Sequence, residues 1–106
     1  MKITQNQAVR EDWDAVKSWN YKLPHLSPKM SVVYAELKGD HGAVHTEGLE
    51  RIYYVIEGQG EFTIGGTTVI VNAGDVITIP PKTEYGYKPI NGTKLKVVLL
   101  MELWDN

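Results

Sequence analysis

From Ser31 onward, short apolar runs are broken by turn residues at spacings of about ten, a pattern that predicts an antiparallel β-sandwich or barrel. Val32 to Leu37 is rich in β-branched and aromatic residues and stops at Gly39. Arg51 to Glu57 alternates with period two, which puts Arg51, Tyr53 and Val55 on one face and Ile52, Tyr54 and Ile56 on the other. Glu61 to Ile64 and Thr67 to Val71 flank Gly65-Gly66, a hairpin turn in which glycine tolerates positive φ at both central positions. After the turn Asn72-Ala73-Gly74-Asp75, Val76 to Ile79 forms a strand that Pro80-Pro81 ends, because proline cannot donate to a ladder. Tyr85 starts the next strand, and Asn91-Gly92 turns the chain into Leu95 to Trp104, the longest strand expected.

The first thirty residues follow a different pattern. Glu11 to Lys17 places Trp13, Val16 and Lys17 at i, i+3 and i+4, which predicts a helical turn, although one too short to be stable alone. Tyr21 to Pro28 is expected to be extended, since the residue before each proline is driven from helical geometry. The chain therefore divides into an N-terminal arm, residues 1–30, and a barrel, residues 31–106. Trp13 and Trp19 lie on an arm with little core of its own, so the arm must pack on something.

Composition narrows the class. With 106 residues, 42% apolar and 23% charged, the chain has the size and balance of one globular domain. A formal charge of −2 offers no basic surface and argues against a nucleic-acid partner. The absence of cysteine excludes disulfides and thiolate metal sites and agrees with a reducing compartment. Met1 to Gln7 has no apolar run able to act as a signal peptide, and the longest apolar stretch, Val97 to Met101, is too short to span a bilayer. A cytoplasmic protein with no membrane partner is expected.

One spacing pattern carries chemistry. Gly39-x5-His45-x-Glu47-x3-Arg51-x6-Gly58 is followed by Gly74-x5-Pro80 and, five residues on, Tyr85. This double frame resembles the two motifs of the cupin superfamily and covers about half the chain. The resemblance implies an all-β jelly-roll barrel. In metal-binding cupins the positions matched by His45, Glu47, Arg51 and Tyr85 are usually His, His, Glu and His, so one of four is retained. Small members of the superfamily often pair an N-terminal arm with the sheet of a second subunit, which implies a homodimer through residues 1–30. Packing of the arm on its own barrel is the alternative.

The resemblance puts Arg51 on the barrel interior beside His45 and Glu47, with Tyr85 closing the group from the opposite sheet. Val33, Tyr53, Phe62, Ile79 and Leu99 would supply an apolar lining, giving the usual form of a small-molecule site. His45, Glu47 and Tyr85 are acceptable ligands for a divalent transition metal. Arg51 opposes one: a fixed positive charge about 5 Å from a divalent ion is repelled by roughly 6–7 kcal/mol at an effective dielectric near 20. A metal would require Arg51 to swing out, or His41 to join as a ligand; otherwise His41 and His25 sit on turns, in solvent. Without a metal, Arg51 grips an anionic ligand, or Glu47 in a buried ion pair, or both.

The leading expectation is thus a metal-free protein with no cofactor that binds a small anionic or carbohydrate-like molecule. Arg51, Tyr53 and Phe62 would bind the ligand, while His45, Glu47 and Tyr85 act as catalytic groups. A histidine base facing a tyrosine acid is similar to the chemistry of metal-independent sugar-nucleotide isomerases and epimerases of the same superfamily. Two alternatives stand beside it: a metal-dependent dioxygenase or isomerase using His45, Glu47 and Tyr85, and a non-catalytic binding or sensing module. Tyr53, Tyr54, Tyr85 and Tyr87 suit a ring-bearing ligand, or ordinary sheet packing.

Overall fold

A computed structural model describes residues 2–23 and 30–102. After a 3-10 turn at Gln5–Gln7 come ten strands: β1 Val9–Trp13, β2 Val16–Lys22, β3 Met30–Leu37, β4 Val44–His45, β5 Arg51–Glu57, β6 Gln59–Ile64, β7 Thr67–Asn72, β8 Val76–Ile79, β9 Glu84–Pro89 and β10 Leu95–Glu102. They form two antiparallel sheets, one in the order β1-β2-β3-β10-β5-β8 and one in the order β4-β9-β6-β7. Period-two alternation sends one set of side chains from each strand between the sheets. Leu37, Tyr53, Val55, Leu95 and Val97 from the large sheet meet Phe62, Val71, Tyr85 and Tyr87 from the small one in a single buried core.

The strands expected at 51–57 and 76–79 have those bounds, and Gly65-Gly66 joins β6 to β7 with positive φ at both glycines. Gly58 separates β5 from β6 at φ 89°, and a Cβ there would lie 2.3 Å from the Lys94 carbonyl oxygen. No other residue fits that approach. The expected course of residues 24–28, His25, and the extension of the last strand to Trp104 lie outside the described residues.

The arm departs from expectation. Glu11 to Lys17 is not helical: β1 and β2 form a hairpin in which Trp13 pairs with Val16 across Asp14-Ala15. Asp14 takes φ 44°, a left-handed conformation that aspartate tolerates. The physical reason is that seven residues gain too little from one helical turn, whereas β3 offers a seven-residue ladder, Val16↔Leu37 through Lys22↔Ser31. Val16 and Ser18 are buried against this ladder. Residues 9–22 thus extend the large sheet of their own chain. Among the described residues no helix is long and apolar enough to cross a membrane.

Candidate functional site

A cleft of about 290 Å³ opens between the sheets at the end where the β1–β2 hairpin meets β5 and β9. Val33, Ala35, Val97 and Leu99 form its apolar floor. The polar walls come from Trp13 and Asn20 of the hairpin, His41 of the β3–β4 loop, Arg51 and Tyr53 of β5, and Tyr87 of β9.

Arg51 and Tyr53 face inward because they share a parity on β5, as do Tyr85 and Tyr87 on β9. The Arg51 Nη1 donates to the Tyr85 hydroxyl at 2.8 Å, and the Tyr85 and Tyr53 hydroxyls share a hydrogen at 2.6 Å. Phe62 stacks beneath Tyr87 with ring centroids 4.5 Å apart and planes 4° from parallel. Burial pushes the Tyr53 and Tyr87 hydroxyls well above the ordinary phenol range, Tyr53 further so through Tyr87 and Tyr85. Both therefore remain protonated and able to donate at neutral pH.

His41 reaches the cleft through a short turn. The Asp40 carboxylate accepts from the Gly42 backbone N–H at 2.8 Å, Gly42 takes φ 90°, and the His41 N–H donates to the Tyr87 carbonyl at 2.9 Å. The imidazole stacks on Tyr87 at 4.5 Å and meets the edge of Trp13 at 5.3 Å. Trp13 Nε1 donates to the His41 carbonyl. His41 Nδ1 lies 3.1 Å from the Gly42 carbonyl, which can only accept, so Nδ1 carries the hydrogen and Nε2 keeps its lone pair. Burial first, and the Arg51 charge after it, hold the His41 pKa below 6.5, leaving a neutral imidazole at pH 7.

The expected residues fall into two groups. Arg51, Tyr53 and Tyr85 come together as one hydrogen-bonded unit, with Phe62 behind it. His45 and Glu47, expected inside the barrel, are both exposed. Thr46 between them is buried, its hydroxyl donating to the Pro80 carbonyl at 2.7 Å and accepting from the Thr83 N–H at 2.9 Å. With Thr46 turned in, the period of two turns its neighbours out, so the supposed Arg51–Glu47 ion pair does not form: Arg51 bonds Tyr85. His41, expected in solvent, is half-buried at the cleft instead. Tyr87, one of the tyrosines suited to a ring-bearing ligand, forms a wall of the cleft, whereas the places of Trp13 and Asn20 in it are not legible in the sequence.

The donor set does not fit the metal that the superfamily implies. His45 and Glu47 point away from the cleft, the Tyr85 hydroxyl is engaged by Arg51 and Tyr53, and a guanidinium occupies the wall. Among the described residues no three His, Cys, Asp or Glu side chains converge.

Comparison with known proteins extends this picture. A predicted oxalate decarboxylase of Thermotoga maritima superposes with a TM-score of 0.84 at 21% identity, covering 98% of this chain and all of that one. The nucleoside dehydratase Pac13 of Streptomyces superposes with a TM-score of 0.81 at 24% identity, covering 99% of this chain and 84% of its own. Both likenesses establish the fold. An uncharacterized protein of Methanocaldococcus jannaschii is 41% identical over 49 residues, a match that spans 46% of this chain and 39% of that protein. Residues 33–101 match the Cupin_2 model, a cupin domain, and the chain belongs to that family.

Proposed function

We propose that the cleft binds a small polar molecule with a ring, of nucleoside or sugar type, and that the chain uses it without a metal to move a proton beside a carbonyl. The observation that supports this most is a neutral histidine with a free Nε2 in a cleft that also presents a guanidinium and protonated tyrosines. Arg51 would bind an anionic or carbonyl oxygen and stabilise it as negative charge develops. His41 Nε2 would accept the proton from the adjacent carbon, the C–H electron pair passing into the enolate. The resulting imidazolium, or a tyrosine hydroxyl, returns a proton, either to carbon, giving isomerisation or epimerisation, or to a departing hydroxyl, giving loss of water. Aromatic faces at Trp13 and Tyr87 suit a planar or sugar ring. Pac13, named a nucleoside dehydratase, has been solved with uridine in variants that replace a tyrosine by phenylalanine or a histidine by glutamine, and a tyrosine–histidine cleft is what this chain also presents. A reducing cytoplasm is the setting we propose, in keeping with the lack of cysteine.

The test is titration of chelator-treated protein with uridine and uridine 5′-phosphate, followed by amide chemical shifts. Shifts confined to the cleft, lost in Arg51→Ala but kept in His41→Gln, are expected. The absence of cleft shifts at millimolar ligand would sink the nucleoside reading. Binding of a ligand that is never converted would assign the cleft to sensing rather than catalysis.

A further inference from the structure

The inner face of the β1–β2 hairpin carries polar groups that the proton transfer at His41 and Arg51 does not use. The register Val9↔Asn20, Glu11↔Ser18 and Trp13↔Val16 puts these six side chains on one face. Val16 and Ser18 are buried, so this face points into the barrel, and Glu11, Trp13, Ser18 and Asn20 all line the cleft.

The donors of this wall are engaged within the chain. The Ser18 hydroxyl donates to the Glu11 carbonyl at 2.7 Å. The Asn20 amide donates to the Val9 carbonyl at 3.1 Å and to Ser18 Oγ at 3.2 Å, which uses both of its hydrogens and fixes which end of the amide is oxygen. Trp13 Nε1 donates to the His41 carbonyl. What remains is two acceptors. Glu11 is exposed, and neither its carboxylate nor Asn20 Oδ1 meets a donor among the described residues. Glu11 and Asn20 occupy diagonal positions of the hairpin ladder, about 7–8 Å apart at the backbone and within joint reach of one ring.

The opposite wall has the reverse demand. Asn20 pairs with Val33, Val33 with Leu99 and Leu99 with Tyr53, so three interstrand gaps, about 14 Å along the sheet, separate the hairpin from β5. The floor between them, Val33, Ala35, Val97 and Leu99, has no polar side chain. At the β5 end stands the Arg51 guanidinium, which can only donate. A molecule that satisfies both walls therefore presents donors at the hairpin and an acceptor or a negative group at Arg51. Two hydroxyls on adjacent ring atoms supply one donor to each hairpin acceptor.

We infer that Glu11 and Asn20 form a diol-reading subsite: the Glu11 carboxylate and Asn20 Oδ1 accept from adjacent hydroxyls of a furanose or pyranose ring whose carbonyl or anionic end lies at Arg51. This rests on the cleft being a site for a ring-bearing molecule, and it narrows that molecule to a ribosyl or glycosyl compound with its vicinal hydroxyls intact. A phosphate or carboxylate on the hydroxyl side is repelled by Glu11. Trp13, two residues along the same face and 39% exposed, offers its ring to the apolar C–H face of the sugar. The two walls together fix which way round the ring lies.

The test is calorimetric titration of the chelator-treated full chain with uridine and with 2′,3′-dideoxyuridine, which lacks only the two ring hydroxyls. Uridine should bind at least about tenfold more tightly, since the analogue leaves both acceptors unpaired. Glu11→Ala changes an exposed side chain and keeps the backbone acceptor of Ser18, so circular dichroism should be unchanged while the preference falls to about threefold or less. Equal wild-type affinities for the two nucleosides overturn the subsite, as does a preference that survives Glu11→Ala in full. The comparison of ligands on the wild type needs no variant and decides the matter even if the substitution disturbs the hairpin. Failure of uridine to bind at all is a distinct result, which removes the nucleoside reading of the cleft and this inference with it.

Discussion

Replacing Tyr85 by phenylalanine isolates the hydrogen-bonded unit that holds Arg51. The ring stays, so packing against Tyr53 and Tyr87 is kept and the change is the loss of one oxygen. That oxygen serves two groups: it accepts from Arg51 Nη1 at 2.8 Å and bonds the Tyr53 hydroxyl at 2.6 Å. Tyr53 is 1% exposed, so its hydroxyl left without a partner costs about 1–3 kcal/mol. Arg51 is only half-buried, and water can replace its lost acceptor, so its share is below about 1 kcal/mol. The expected loss is about 2 kcal/mol, or about 8–16 °C in Tm for a domain of this size. Tyr53→Phe should cost less, about 1 kcal/mol, because it leaves the Arg51–Tyr85 bond in place. The double variant should be no worse than Tyr85→Phe alone, a coupling of about 1 kcal/mol. Urea unfolding followed by tryptophan fluorescence measures all three. Additive effects, or Tyr53→Phe costing more than Tyr85→Phe, would refute the shared-hydroxyl geometry.

Two further outcomes concern His41 and the glycines at the strand ends. Because the His41 pKa lies below 6.5 in the folded chain, the unfolded chain binds more protons as pH falls, so the contribution of His41 to stability is complete above pH 6.5 and declines as pH drops through its folded value. His41→Gln should flatten that part of the stability–pH curve, and an unchanged slope would show that His41 is not held neutral by burial. Gly58→Ala should destabilise by more than about 3 kcal/mol, since it adds a clash with the Lys94 carbonyl to the cost of a positive φ, whereas Gly74→Ala, with φ 94° and open space around it, should cost about 1–2 kcal/mol; equal effects in urea unfolding would count against the close approach at Gly58.

Much of the barrel is legible in the sequence because glycine and proline mark where strands must stop, and those stops do not depend on what fills the pocket. Gly58 and Pro80 bound β5 and β8 for reasons of backbone geometry alone. Arg51, Tyr53 and Tyr85 are recoverable from strand parity, since β5 and β9 are long enough to fix which face is buried. Parity fails for His45 and Glu47 because β4 has only two residues, and the anchor that sets its phase, the Thr46 hydroxyl on Pro80 and Thr83, lies 34 and 37 positions away in sequence. The hairpin is hidden for a related reason: Trp13, Val16 and Lys17 satisfy a helical period, and only the free edge of β3 makes an extended ladder the better solution. His41 is concealed by its turn, which says that the chain bends there but not that it bends inward.

The Trp13 contact to His41 joins two parts of the chain, only one of which lies within the residues that match the family. Residues 33–101 are recognisable as a cupin domain, yet Trp13, Ser18 and Asn20 on the cleft wall all precede them. The segment that makes the barrel identifiable and the segment that supplies part of the cleft wall are therefore different pieces of polypeptide. If the cleft binds the ring-bearing molecule proposed for it, substitutions in the β1–β2 hairpin are expected to change which molecule enters while the barrel, its core and its Arg51–Tyr85–Tyr53 unit remain as they are. A hairpin grafted from another barrel of this fold would be expected to carry its selectivity with it.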